Sequence, residues 1–176
     1  ASFRVILALA LGLLPLLSLA QTQAAAPVTL FENVRIFDGK AAALSPPSHV
    51  LVRGNTIERV SQTPIAREAG ATVISGGGRI LMPGLIDAHW HAMLVRLTPA
   101  MMLTSDAGYI NLQAGAEAAA TLMRGFTTVR DLGGPSFGLK RAIDEGVLPG
   151  PRIYPSGAII TVTSGHGDFR QLSELP

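Results

Sequence analysis

The sequence predicts an α/β chain in which a β-rich stretch over residues 28–84 precedes an alternation of apolar strands and amphipathic helices from Leu85 onward. Short β-type runs punctuated by Asp38-Gly39 and Gly54-Asn55 predict the first part. The order strand, helix, strand, helix, strand predicts the second, because such an order implies parallel pairing through right-handed crossovers.

The β-type runs are Val28 to Phe31, Val34 to Phe37, Val50 to Arg53, Thr56 to Val60 and Ala71 to Ser75, with Gly54-Asn55 closing a tight hairpin between the third and fourth. They make a small sheet or sandwich. The apolar run at Leu85 opens the second part. In the Ala-rich helix that follows, Ile110, Ala114, Ala118 and Leu122 recur at i+4 on one face, and Gly125 ends it. Phe126 to Val129 reads as the next strand and Phe137 to Glu145 as the next helix, with Leu139 and Ile143 on one face and Gly146 as its stop. Pro149-Gly150-Pro151 then turns the chain into a strand over Arg152 to Thr161.

Ahead of these elements, Arg4 is followed by sixteen residues without a charge, Val5 to Ala20, ending in Ser18-Leu19-Ala20. Small residues at the two positions read by a signal peptidase make this a signal-peptide pattern with cleavage after Ala20, and hence an exported chain, periplasmic or secreted. An uncleaved anchor is the alternative. The run is short of the roughly 20 apolar residues of a spanning helix and is interrupted by Gly12 and Pro15. No stable span is expected after cleavage, and Gln21 to Pro27 reads as a flexible lead.

Composition narrows the chemistry. In 176 residues, 15% are charged and 48% hydrophobic, against about 25% charged in an average soluble chain, which argues against disorder. The formal charge of +2 is small and the basic residues are scattered, Lys140-Arg141 being the one adjacent pair. Nucleic acid is therefore not an expected partner, since an electrostatic footprint needs clustered charge. With no cysteine, any metal must be held by histidines and carboxylates. The sequence contains no GxxxxGK, HExxH or GxGxxG motif.

What remains is His89-Trp90-His91. Successive strand side chains point to opposite faces, so Asp87, His89 and His91 are expected to project together, with Ala88, Trp90 and Ala92 on the other side. Two imidazoles on one face can share a metal ion, and Trp90 reads as a core residue. Composition alone would produce such a triplet roughly one time in ten. Taken by itself, it reads more simply as two strand histidines satisfied by backbone and water.

Its context is more specific. The segment Leu81-Met82-Pro83-Gly84-Leu85-Ile86-Asp87-Ala88-His89-Trp90-His91 resembles the strand that opens the barrel of the amidohydrolase superfamily, whose pattern is P-G-x-I/L-D-x-H-x-H. Three further segments resemble its imidazolonepropionase-like branch, which holds Xaa-Pro and Xaa-Arg dipeptidases and carboxypeptidases: Gly125 to Gly133, Leu148 to Ile153, and Gly165-His166-Gly167-Asp168. The resemblance runs from Val28 to Asp168.

It implies a (β/α)₈ TIM-like barrel with one or two divalent metals, usually Zn²⁺, at the C-terminal ends of its strands. Residues 28–84 would be the N-terminal half of a small composite sheet domain. By the same resemblance His89 and His91 are metal ligands and Asp87 orients a ligand, although a carboxylate capping backbone donors at the strand end is an equally good reading of Asp87. His166 is either a solvated loop residue or, as the resemblance implies, a catalytic donor to the scissile carbonyl. Arg130 and Asp131 are expected to form an ion pair at a strand end.

The 92 residues from Leu85 to Pro176 hold about three strand-helix units, whereas a closed barrel takes about 250 residues and eight units. The expectation is thus the front part of a barrel, inactive alone; the resemblance implies that the remaining ligands, a carboxylated Lys on the fourth strand, His on the fifth and sixth and Asp on the eighth, come later. The implied activity of the intact protein is metal-dependent hydrolysis of an amide C–N bond in a dipeptide-like or N-acyl amino acid substrate. Cyclic-amide hydrolysis and deamination are alternatives within the superfamily. An exported, non-catalytic β-rich binding module is an alternative of another class. A homo-oligomer is compatible with the sequence.

Overall fold

A computed structural model describes residues 25–168. The export segment expected at residues 1–20, and the first part of the lead that follows, lie outside the described residues. Among the described residues, no helix is long and apolar enough to cross a membrane. The described chain forms two compact units.

The first unit takes residues up to Ile36 together with Ser45–Ile80. Its strands are β1 (Val28–Ile36), β2 (Ser48–Arg53), β3 (Thr56–Ser61), β4 (Thr72–Ser75) and β5 (Ile80–Leu81), in the order β3-β2-β1-β4 with β5 also pairing with β1. β2 runs antiparallel to both β1 and β3, while β4 lies parallel to β1. The hairpin between β2 and β3 forms as expected, with Arg53 opposite Thr56 and Gly54 at φ +59°. Leu30, Leu51 and Ile65 form the core, with Val28 packed against it.

Two separate runs, Val28 to Phe31 and Val34 to Phe37, were expected where the structure has one strand. Glu32-Asn33 interrupts the apolar alternation, but the chain passes it by a register shift between Phe31 and Val34, with Asn33 at φ +51°. Asn tolerates that left-handed conformation better than most residues.

The second unit, Phe37–Leu44 with the chain from Leu81 on, carries β6 (Leu85–Trp90), α1 (Pro99–Thr104), α2 (Ala107–Met123), β7 (Phe126–Asp131), α3 (Phe137–Asp144) and β8 (Arg152–Pro155). β6, β7 and β8 form a parallel sheet in that order. The third strand is shorter than the sequence suggested: it stops at Pro155, and Gly157 at φ +85° lies beyond its end.

α1 begins at Thr98, whose hydroxyl accepts from the Met101 N–H, and α2 at Asp106, whose carboxylate accepts from the Tyr109 N–H at 3.0 Å. Both are side-chain caps of otherwise orphaned donors. Ala114 and Ala118 of the expected i+4 face are buried, and Ile110 packs beside them. Alanines let a helix approach a sheet closely. Trp90, Ala92, Met93, Val129, Leu139 and Ile153 complete this core, and each large apolar side chain fully buried there contributes about 1.5–3 kcal/mol.

Glu117 breaks the pattern. It sits on the buried side of α2, with 6% of its surface exposed, where a sequence reading puts apolar residues. Its carboxylate accepts from Arg96 Nε at 2.8 Å, from Arg124 and from the Thr121 hydroxyl. Burial alone pushes this carboxyl up, but the guanidinium hydrogen bonds from Arg124 and Arg96 outweigh it and hold the group below the ordinary glutamate value.

A folded-state value below the unfolded one gives stability that is present above about pH 4.3 and lost as the pH falls through the depressed value. Glu117→Gln in the full-length protein should cost about 1–3 kcal/mol at pH 7. It should also flatten the loss of stability in acid. Thermal unfolding followed from pH 7 to pH 3 checks both, and an acid loss as steep as that of the wild type would count against the assignment.

Candidate metal centre

The site begins with a close approach. A Cβ on Gly84 would fall 2.0 Å from Oγ1 of Thr127 on β7, so only glycine lets the chain enter β6 here. Leu85 N–H then donates to the Gly125 carbonyl at 2.8 Å, which starts the pairing of β6 with β7.

That pairing slips further along. Asp87 aligns with Val129 and Trp90 with Asp131, so three steps on β6 oppose two on β7. The strict alternation expected from Asp87 to His91 is therefore broken between Asp87 and Trp90. Asp87 accepts a hydrogen bond from the His89 backbone N–H at 2.9 Å, which is the backbone-capping arrangement weighed from the sequence.

His89 and His91 do come together. Their ring centroids lie 5.3 Å apart with the planes at 71°. His89 is exposed and His91 half-buried. His91 Nδ1 is buried with no hydrogen-bond partner among the described residues, which suits a nitrogen that a bound group satisfies. Trp90, between them, packs into the core with 6% of its surface exposed.

The pair fits a divalent ion as part of a donor set, since neutral imidazoles are good zinc ligands. A structural or catalytic zinc needs further donors. No group of three or more His, Cys, Asp or Glu capable of holding a metal occurs among the described residues. Asp87 and His166 are thus not drawn with the pair into a coordination shell. His166 is exposed, in a turn where Asp168 N–H donates to the Gly165 carbonyl and Asp168 Oδ2 accepts from the Ser164 N–H.

Arg130 and Asp131 do not form the expected ion pair. Neighbours on a strand point to opposite faces, and each finds backbone instead: Arg130 Nε donates to the Ala88 carbonyl at 2.8 Å. Asp131, fully buried, accepts through Oδ1 from the N–H groups of Ala92 at 3.4 Å and Gly133 at 3.3 Å. The Leu132 N–H donates to the Trp90 carbonyl and the Ser156 N–H to the Asp131 carbonyl, both at 2.9 Å. The ends of all three parallel strands are thereby joined beside the histidines.

Residues 80–174, more than half of the chain, match the sequence profile of the Amidohydrolase family. The chain belongs to this family. Over 104 residues, 51% of the chain, it is 34% identical to an ochratoxinase of Aspergillus niger, of which it covers 19%. The structure of a prolidase in complex with N-methylphosphonate-L-proline is similar over 85% of the chain, at 33% identity and a TM-score of 0.74. A Xaa-Pro dipeptidase with methionine bound in its active site is similar over the same share, at 26% identity and a TM-score of 0.71. The chain spans 36% and 38% of those two structures. These amidohydrolase neighbours agree with the dipeptidase-like branch suggested by the sequence motifs.

The role of Asp131 can be separated from mere polarity. Asp131→Ala should lower the stability of the full-length protein by about 1–3 kcal/mol, because two buried N–H groups lose their acceptor. Asp131→Asn keeps a carbonyl oxygen there and should stay closer to the wild type. Equal losses in the two variants by thermal unfolding would contradict this reading.

Proposed function

We propose that this chain supplies the opening part of the active site of a metal-dependent amidohydrolase that cleaves an amide C–N bond in a dipeptide-like or N-acyl amino acid substrate. The observation that carries the reading is the His89–His91 pair, rings 5.3 Å apart, at the C-terminal end of the first strand of a parallel β/α sheet. In a (β/α)₈ barrel, of which β6, β7 and β8 would be the first three strands, that end carries the catalytic groups. The names of its relatives support the substrate class: a prolidase, a Xaa-Pro dipeptidase and an ochratoxinase. The apolar run Val5 to Ala20 supports an exported enzyme.

His89 and His91 would hold the metal, with zinc the ion that suits two neutral imidazoles. A bound divalent ion lowers the pKa of its water and polarises the scissile carbonyl, so that attack proceeds near neutral pH. Asp87 holds the backbone of His89 and would fix the direction of that imidazole. Asp131 holds the N–H of Ala92, directly after His91. His166 would donate a hydrogen bond to the carbonyl oxygen as negative charge develops on it.

Replacing His89 and His91 together by Ala in the full-length protein should remove bound metal, read by elemental analysis, and with it the hydrolysis of N-acyl amino acids. Unchanged metal stoichiometry and rate would overturn the assignment. His166→Ala should lower kcat by about 100-fold or more, the usual effect of losing one such donor, with metal content unchanged. Loss of metal in that variant would make His166 a ligand instead.

A further inference from the structure

The loops that follow β6, β7 and β8 enclose a cleft of about 760 Å³. Its walls come from Met93 and Leu97 after β6, Leu103 of α1, Phe137 at the start of α3, and Ala158 and Ile159 after β8. Every described residue lining it is apolar or glycine. All of these segments leave the C-terminal ends of the parallel strands, the end that carries His89 and His91. Two stretches of lining also adjoin the candidate chemistry along the chain: Met93 stands two residues beyond His91, and Gly167 directly follows His166. Gly167 is pressed against the wall, since a Cβ there would fall 2.4 Å from Ile159 Cγ2.

We infer that this cleft binds a bulky, uncharged apolar group of the substrate, an aromatic side chain or larger, and so selects large apolar amides over small ones. The inference rests on the amide-hydrolase reading above and adds a substrate class to it. The volume lies within the roughly 300–1,000 Å³ of small-molecule sites. A cleft without a charged or polar side chain cannot receive the carboxylate or ammonium end of an amino acid without leaving it unpaired. What enters must be apolar. Met93 and Met102, both lining residues, adapt their shape readily, which suits a class of apolar groups more than a single one. Position favours substrate over a partner protein, because the cleft lies on the strand ends that carry the histidine pair.

The test compares N-acetyl-L-phenylalanine with N-acetylglycine on the full-length protein, by hydrolysis with zinc bound and by calorimetric binding to the metal-stripped protein. The phenyl compound should be preferred at least about tenfold in kcat/KM, as expected for an apolar pocket that gains or loses its filling group, and should bind more tightly without metal. Leu103→Glu and Ala158→Trp charge and fill the cleft. Leu103 is 62% exposed and Ala158 is exposed, so neither variant disturbs the core. Both should lose the preference while keeping metal content. Hydrolysis of both compounds without preference, or a preference that survives in both variants, overturns the inference and leaves the hydrolase reading standing. Preferential binding that the two variants abolish, with no hydrolysis of either compound, supports the cleft assignment and overturns the hydrolase reading.

Discussion

A single buried residue, Asp131, ties the ends of three strands together through its carboxylate and its own carbonyl. Asp131 accepts from the backbone of Ala92, just past β6, and of Gly133, just past β7, while its own carbonyl accepts from Ser156, just past β8. An ionisable group taken fully out of water is costly unless hydrogen bonds satisfy it. Its retention at this point fits a demand for geometry over stability. Parallel strands leave their last carbonyls and N–H groups without ladder partners, and here those groups must be held while the loops beyond them turn away. Fixing them also fixes the backbone directly after His91.

The loop beyond His91 is fastened a second time. Arg96 reaches Glu117 on α2, and Glu117 also accepts from Arg124 near the end of that helix. Residues 92 to 96 are therefore held by Asp131 at one end and Glu117 at the other, with Met93 buried between them. A charged group on the inner side of a helix is tolerable because two guanidiniums and a hydroxyl answer it. Arg96 and Arg124 remain partly in water, which lowers the cost of bringing the carboxylate in. The helix, the loop and the strand end thus form one connected support beneath the histidine pair.

Much of this architecture could be read in the chain. The hairpin at Gly54-Asn55, the i+4 face of α2, its stop at Gly125 and the parallel order of strands follow from local periodicity and turn chemistry, and the structure has each of them. Other features escaped because they depend on a partner distant in sequence. Glu117 looks like a solvent-facing helix residue until Arg96, 21 positions earlier, is folded against it. Arg130 and Asp131 look like an ion pair because they are adjacent, yet adjacency on a strand is what separates them. The irregular pairing between Asp87 and Trp90 gives no signal in residue type at all, since the register of β6 is set by β7, some forty residues later.

The sequence by itself determined the α/β order of elements, the proximity of His89 and His91, and the motifs that mark an amidohydrolase. Those are short-range properties: a period of two or 3.6, a glycine where the backbone needs one, residue types at fixed spacing. Tertiary structure alone decided that Asp131 joins three strand ends, and that the loops after β6, β7 and β8 close around an apolar cleft. Periodicity gives the direction of a side chain relative to its neighbours along one element. Which donors, charges and apolar surfaces it then meets depends on contacts between elements far apart in the chain.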